Sequence, residues 1–470
     1  MPTGAAWRPD PMFAGLGTEF HDLVAPAEFP KTIMRFRNDR AAASVGLDNL
    51  TDDEWLAAFA RFETLPGQPA PVAMRYHGHQ FRTYNADLGD GRGFLFAQMR
   101  EAGTGRLLDF GTKGSGRTPW SRSGDGRLTL KGGVREVLAA AMLEALGVPT
   151  SRAFSLIETG EALNRGDEPS PTRSSVLVRL QHSHVRFGTF QRLAYFEKPE
   201  LIRTLTDHVI EAYHPDAAGP AAMLERIVAA TARMTARWMT AGFVHGVLNT
   251  DNMNVTGESF DYGPWRFLPH NDPNFTAAYF DHSGLYSFGR QPEAAFWNLQ
   301  QLAGSLSLIE DEDALVAALN TFSPIYAREL AAAMIERLGV ASAGEDADIA
   351  LVNAAFKALA AGGEALRWEP FFFDWFCGPA SEDRAMQGPR AGIYAADAFS
   401  AFRKLLSAAT PDRPERLAAT PFSRSEPEEL LIDDVESIWA AIDEHDDWTV
   451  FEAKLARIDT ARLAYGLSAP

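Results

Sequence analysis

One cysteine, Cys377, stands among 470 residues, so no internal disulfide is available. A lone thiol fits a reducing compartment. No stretch approaches about 18 consecutive apolar residues, so no membrane-spanning helix is expected. The first ten residues carry no basic segment followed by an apolar one, so no secretory signal is expected and a cytoplasmic protein is. Basic residues are the minority: 44 Lys and Arg against 62 Asp and Glu give a net charge of −18. That balance argues against nucleic acid or an anionic membrane as partner and leaves protein or nucleotide substrates open. Internal repeats and low-complexity segments are missing as well.

What is present is an ordinary globular composition, 46% hydrophobic and 23% charged, long enough for two or three domains or two lobes. Residues 1–70 read as an N-terminal extension of loops and short helices. Within it Thr51-Asp52-Asp53-Glu54 caps a helix that runs through Trp55 and Phe59. From 71 to 195 glycines are frequent and short apolar runs read as strands; 93–97 and 106–113 form a hairpin around a turn at 101–105. Residues 133–146 read as a mostly buried helix stopped by Gly147 and Pro149, whose Arg135 and Glu136 therefore need partners. Strands are expected at 154–157 and 176–180, and a polar loop at 160–172. From 196 to 470 the chain reads as mainly helical. A long helix with Met223, Ile227, Met234 and Trp238 on one side ends near Gly242. Further helices are expected at 296–308 and 349–361, and an amphipathic one at 433–447. A β-rich first part, one embedded helix and a helical second part give the expected fold class: α+β, bilobal and protein-kinase-like, with an N-lobe at 71–195 and a C-lobe at 196–470.

The run His245-Gly246-Val247-Leu248-Asn249-Thr250-Asp251-Asn252, followed by Asp261-Tyr262-Gly263, matches a kinase catalytic loop with one part missing. In the kinase pattern the first Asp receives the substrate proton, while the Asn and a later Asp hold magnesium. Asn252 and Asp261 occupy the metal positions, but the base position is Val247, which cannot accept a proton. Either the protein is catalytically dead or it does different chemistry on a nucleotide. Lys113 ends a strand and Glu136 sits about one turn into the next helix, the order in which a kinase places a phosphate-binding Lys and the Glu that holds it.

Gly89-Asp90-Gly91-Arg92-Gly93 precedes a strand and could bring backbone N–H groups and a cation to phosphates; a tight hairpin explains the same glycines. A second loop, Lys113-Gly114-Ser115-Gly116-Arg117-Thr118 with Ser123-Gly124-Asp125-Gly126-Arg127, suits a triphosphate, or is a mobile basic surface loop. Arg179, between Val178 and Leu180, and Arg186 bind an anion or make structural ion pairs. Asp109-Phe110-Gly111 spells the kinase metal motif, but it precedes the catalytic loop and lies in a strand, so it is set aside. The pairs His77/His79 and His182/His184 lack the further ligands that a zinc site needs.

Together these residues resemble the selenoprotein O family of protein adenylyltransferases, which are built on a pseudokinase fold. The runs that carry the resemblance are Gly78-His79-Gln80-Phe81, Leu88-Gly89-Asp90-Gly91-Arg92, Lys113 to Pro119, Gly124-Asp125-Gly126-Arg127, Arg135-Glu136, Ala145-Leu146-Gly147-Val148-Pro149-Thr150, the stretch 242–254 and Asp261-Tyr262-Gly263-Pro264. The resemblance implies an ATP flipped relative to a kinase, so that the α-phosphate meets the acceptor. It implies transfer of AMP to protein Ser, Thr or Tyr hydroxyls with release of pyrophosphate, using Mg2+ or Mn2+. By the same resemblance Lys113, Arg179 and Arg186 grip phosphates, and Gly89, Gly91, Arg92, Asp125 and Gly126 contact ATP. Asn252 and Asp261 hold the metal, with Asp261 beside the nucleotide, and Asp251 is the general base.

Many members of that family end in a Cys-containing redox pair, whereas the end here, Leu463-Ala464-Tyr465-Gly466-Leu467-Ser468-Ala469-Pro470, has none. No C-terminal redox switch is therefore expected, and Cys377 reads as a core thiol. Two other functions remain at this stage, a kinase that transfers the γ-phosphate and a non-catalytic nucleotide-binding scaffold. The sequence names no substrate protein and no oligomeric state.

Overall fold

The computed structural model describes residues 3–166 and 168–467. Met1 and Pro2 of the N-terminus that was read for a secretory signal, Asp167 of the expected loop and residues 468–470 of the C-terminus that was read for a Cys pair lie outside the described residues.

The first part of the chain builds one antiparallel sheet. Its strands are β1 (His21–Leu23), β2 (Ile33–Arg37) and β3 (Val72–Met74); then, after a separate hairpin of β4 (Gly78–Gln80) and β5 (Thr83–Asn85), come β6 (Leu95–Arg100), β7 (Leu107–Lys113), β8 (Leu128–Thr129), β9 (Arg152–Leu163) and β10 (Thr172–Gln181). The spatial order is β1-β3-β6-β7-β10-β9-β2, with β8 beside β10. β6 and β7 form the expected hairpin. The loops and short helices expected for 1–70 are only partly there: α1 (Asp39–Ser44) and α2 (Asp52–Phe59) are helices, but β1 and β2 form the two edges of the sheet. Edge strands of three and five residues, half-buried and carrying Arg35 and Arg37, show no clean alternation, which hid them. The α2 cap is as expected: Glu54 N–H donates to Thr51 Oγ1 at 3.3 Å, and the Glu54 carboxylate accepts the Thr51 N–H at 2.9 Å.

Strand periodicity sorts the side chains. Val176, Val178 and Leu180 of β10 and Leu108 and Phe110 of β7 turn to one core with Trp55, Phe59 and Phe154. Leu177 and Leu107 turn to the other, which holds α3 (Leu130–Ala145). Arg179 and Lys113 share the parity of Leu177 and Leu107, and the register pairs Leu177 with Lys113 and Arg179 with Gly111, so both cations project on the α3 side. α3 starts three residues before the expected 133, because Thr129 caps it, its Oγ1 accepting the Gly132 N–H at 3.1 Å. β9 runs on to Leu163, past Gly160, where a loop was expected; Gly160 takes φ +74° and the strand continues.

The second part is helical. α4 (Phe187–Tyr195), α5 (Pro199–Tyr213) and α6 (Pro220–Ala241) lead to the catalytic-loop run, and Gly242 closes α6 in the left-handed conformation, φ +63°. A two-stranded ribbon of β11 (Phe243–Val244) and β12 (Arg266–Phe267) brackets that run. α7 (Gln291–Leu306) starts five residues before the expected 296, with a proline in its first turn. The helix expected at 349–361 spans Glu345–Gly362. The acidic amphipathic segment is a helix, Ile432–His445, and with the last helix, Thr449–Tyr465, it returns to pack on α3. Lys131 and Glu436 tie the two regions at 2.7 Å. No helix among the described residues is long and apolar enough to cross a membrane.

Candidate active site

Four charged groups meet where β7, β10, α3 and the segment after the catalytic loop converge. Lys113 Nζ is ion-paired with Glu136 and lies 2.5 Å from Asp261 Oδ1. Arg179 Nη1 lies 3.4 Å from the same oxygen and 3.7 Å from Glu136 Oε2. Lys113, Glu136 and Arg179 are each 5% exposed or less. Two cations thus face two carboxylates in a setting where an uncompensated charge would cost several kcal/mol, on the order of 3–5. Burial pushes the Asp261 carboxyl up, but Lys113, Arg179, Arg92 and Arg186 together hold it well below the usual carboxylate range. Asp261 also sits in the left-handed region, φ +65°, at a cost of about 1–2 kcal/mol for a residue with a Cβ.

The catalytic loop is held from several sides. The His245 ring lies 2.9 Å from the Phe260 carbonyl through Nε2, and its backbone N–H donates to Gln291 Oε1 at 3.0 Å. Val247 occupies the position of the kinase base and lines the cleft. Asn252 Nδ2 donates to the Val247 carbonyl at 3.0 Å, which turns its Oδ1 away from protein donors among the described residues. Among the described residues Asp261 Oδ2 is likewise uncommitted, since both cations address Oδ1. Two hard oxygen donors of this kind suit Mg2+ or Mn2+, completed by phosphate oxygens and water. Among the described residues no group of three or more His, Cys, Asp or Glu is placed to hold a metal ion.

Asp251 lies in the turn Thr250–Asn252. Its Oδ1 is buried without a hydrogen-bond partner among the described residues. Burial raises its carboxyl to about 6, against the opposing pull of Arg186. Strand β4 presses on this turn: a Cβ on Gly78 would lie 3.0 Å from Thr250 Oγ1 and 3.3 Å from Asp251 Oδ1. The His79 N–H donates to Thr250 Oγ1 at 2.7 Å, and the Phe81 N–H to Asn249 Oδ1 at 3.0 Å.

These groups floor a cleft of about 720 Å³. Gly89, Gly91 and Arg92 line one wall, Asp125, Gly126 and Arg127 another, and Lys113, Asp251, Asn252 and Asp261 the base. Arg179 and Arg186 do not line it. Arg186 lies behind Tyr76, its guanidinium 4.4 Å from that ring, with Asp90 Oδ1 at 3.2 Å. The glycines at 89 and 91 answer to packing: a Cβ on Gly89 would meet the Trp120 ring at 2.4 Å, and one on Gly91 would meet the Trp120 carbonyl oxygen at 2.9 Å. Trp120, which carried no signal in the sequence, clamps the two glycine loops and donates from Nε1 to Asp22 at 2.9 Å. Gly126 takes φ +72°, with Gly116 backbone 2.3 Å from where its Cβ would be. Asp125 is engaged by Arg165 at 2.8 Å. Arg92 and Arg122 line the cleft with no side-chain hydrogen bond or ion pair among the described residues; Arg122 was not singled out from the sequence.

The motifs set aside have structural work. Asp109 is 1% exposed and accepts the His184 N–H at 2.7 Å and Gln98 Nε2 at 2.7 Å. His77 and His79 meet Tyr84 and Gln191, each at 2.8 Å. Cys377 is fully buried, its thiol pushed up to about 11 by burial.

Residues 7–459 match the family model described as protein adenylyltransferase SelO. The chain is similar to the protein nucleotidyltransferase YdiU of Gloeobacter violaceus, 47% identical over 466 residues, covering 96% of this chain and 94% of the relative. The YdiU protein of Synechocystis sp. is 45% identical over 474 residues, covering 96% and 98%. That of Synechococcus elongatus is 54% identical over 336 residues, covering 70% and 68%. A match over nearly the whole chain, on a molecule whose cleft gathers Lys113, Asn252 and Asp261, places this chain in the SelO family of protein adenylyltransferases, enzymes that transfer a nucleotide to protein.

Proposed function

We propose that the molecule is a bilobal pseudokinase that binds ATP flipped in the cleft and passes its AMP to Ser, Thr or Tyr hydroxyls of other proteins in the cytoplasm. The observation that carries this reading is the exchange of acid residues in the catalytic loop. Val247 stands where a kinase has its base, and Asp251, four residues on, offers a buried carboxylate oxygen with no partner among the described residues. The family resemblance supplies the flipped orientation and the phosphate roles of Arg179 and Arg186.

Lys113 holds phosphate oxygens and is itself held by Glu136. Arg92, Gly89, Gly91, Asp125 and Gly126 surround the nucleotide, and Arg179 and Arg186 supply positive charge from behind the wall. Asn252 and Asp261 would hold a Mg2+ or Mn2+ ion, which would supply neutralisation of phosphate charge when bound. Asp251 takes the proton of the acceptor hydroxyl. The hydroxyl oxygen then bonds to the α-phosphorus, the bond to the bridging oxygen of the β-phosphate breaks, and pyrophosphate carries off the electron pair. Such transfer depends on positioning and charge stabilisation, which two fixed loops and the four cations Lys113, Arg92, Arg179 and Arg186 provide.

ATP labelled at either end tests it. Label from the α-phosphate on protein acceptors, lost in Asp261→Ala, is the expected result. Label from the γ-phosphate would mean an unflipped nucleotide and a kinase.

A further inference from the structure

Two neighbouring aromatic side chains stand out in solvent beside the cleft, Tyr279 at 79% exposed and Phe280 at 44%. The segment that carries them is tied down at both ends. Ala277 and Ala278 are buried against the catalytic loop: a Cβ on Gly246 would lie 3.0 Å from Ala277 Cβ and 3.1 Å from Pro264 Cγ. Asp281, buried, accepts the N–H groups of Leu285 and Tyr286 at 2.9 and 2.8 Å and donates its own N–H to the Ala278 carbonyl at 3.1 Å. An anchored turn, and not a slack loop, holds the pair outward.

Phe280 packs on Phe81 with ring centroids 5.8 Å apart. Phe81 lies at the tip of the β4–β5 hairpin, where Phe81 and Arg82 both adopt left-handed backbone, φ +48° and +63°. A two-residue turn of this hand ordinarily takes Asn and Gly, and each larger residue there costs about 1–2 kcal/mol. The strained turn keeps the Phe81 ring on Phe280 and its N–H on Asn249. Gln80, Asn249 and Pro264 line the cleft, so the aromatic surface begins where the cleft wall ends, on the side of Asp251.

We infer that Phe81, Tyr279 and Phe280 receive the acceptor protein, as an extended segment whose hydroxyl reaches Asp251 while a large apolar or aromatic side chain within about three residues rests on the pad, each extended residue spanning about 3.3 Å. This rests on the reading of Asp251 as the acceptor-side base. Transfer to protein requires a protein surface at this mouth, and contiguous exposed aromatic surface is what such contacts use.

The test is an array of short synthetic peptides, each with one Ser, Thr or Tyr and either Phe or Ala at the flanking positions, incubated with the whole chain, Mg2+ and α-labelled ATP. A flanking Phe is expected to raise labelling about fivefold or more, the scale of a modest anchor residue. The double substitution Tyr279→Ser/Phe280→Ser is expected to erase that preference, with melting temperature and ATP affinity as controls on folding. Labelling indifferent to the flanks, or a preference that survives the double substitution, overturns the inference and leaves the base assignment standing. Undiminished labelling by Asp251→Asn overturns the base assignment instead. A dimer that the double substitution converts to monomer makes the pad a contact between copies of this chain and also overturns the inference.

Discussion

Arg186 Nε donates a 2.7 Å hydrogen bond to the backbone carbonyl oxygen of Asp251, while its Nη1 reaches Asp90 Oδ1 at 3.2 Å. One buried guanidinium thus joins the first glycine loop to the acidic residue of the catalytic loop. Its charge also opposes the burial that lifts the Asp251 carboxyl to about 6.

The pH dependence of transfer follows from that pairing. Asp251 titrates above the ordinary carboxylate value, so the proposed base is lost by protonation as pH falls through about 6. The profile of kcat/KM, which reports the free enzyme, should fall about tenfold per pH unit below that point. Arg186→Gln removes a charge that lowers the Asp251 pKa, so the acid limb should move to higher pH. A limb that stays in place would show that Arg186 does not act on Asp251.

The buried quartet makes a stability prediction. Lys113→Ala leaves Glu136 and Asp261 facing Arg179 alone, and breaking a buried pair from one side costs about 3–5 kcal/mol. Thermal and urea unfolding should register that loss, and calorimetry should show ATP binding gone. The double substitution Lys113→Met/Glu136→Leu should recover part of the stability and none of the ATP binding. Recovered binding would place phosphate recognition elsewhere.

Trp120 and Gly89 can be separated from nucleotide binding by a mutant cycle. Gly89→Ala drives a methyl to 2.4 Å from the Trp120 ring and should cost about 1–3 kcal/mol. In a Trp120→Ala background the added cost should largely vanish, because the two residues share one contact. An equal cost in both backgrounds would contradict the packing role of the glycine.

The sequence carried the sheet-and-helix division and the Lys113–Glu136 partnership because both rest on local signals: short apolar runs in β7 and β10, and the order of a strand Lys before a helix Glu. It carried Arg179 as a buried cation for the same reason, flanked by Val178 and Leu180; ion pairing, one of its two readings, is what the molecule contains. The contacts of Gly78 and His79 with Thr250 and Asp251 were out of reach, since they join residues about 170 positions apart. Trp120 was equally silent: an aromatic residue after a proline says nothing of which glycine loop it will cover. The edge strand β2 failed for a different reason. Arg35 and Arg37 spend their charge on Glu158, Asp446 and Asp39, so the strand pattern reads as a polar loop.

The most direct measurement is AMP transfer by Asp251→Asn, followed with α-labelled ATP beside a calorimetric titration of ATP. Transfer should fall about 10²–10⁴-fold while ATP affinity stays within about twofold, as for loss of a general base from an intact nucleotide site. Transfer at the unmodified rate would contradict the assignment of Asp251 as the base and the chemistry built on it.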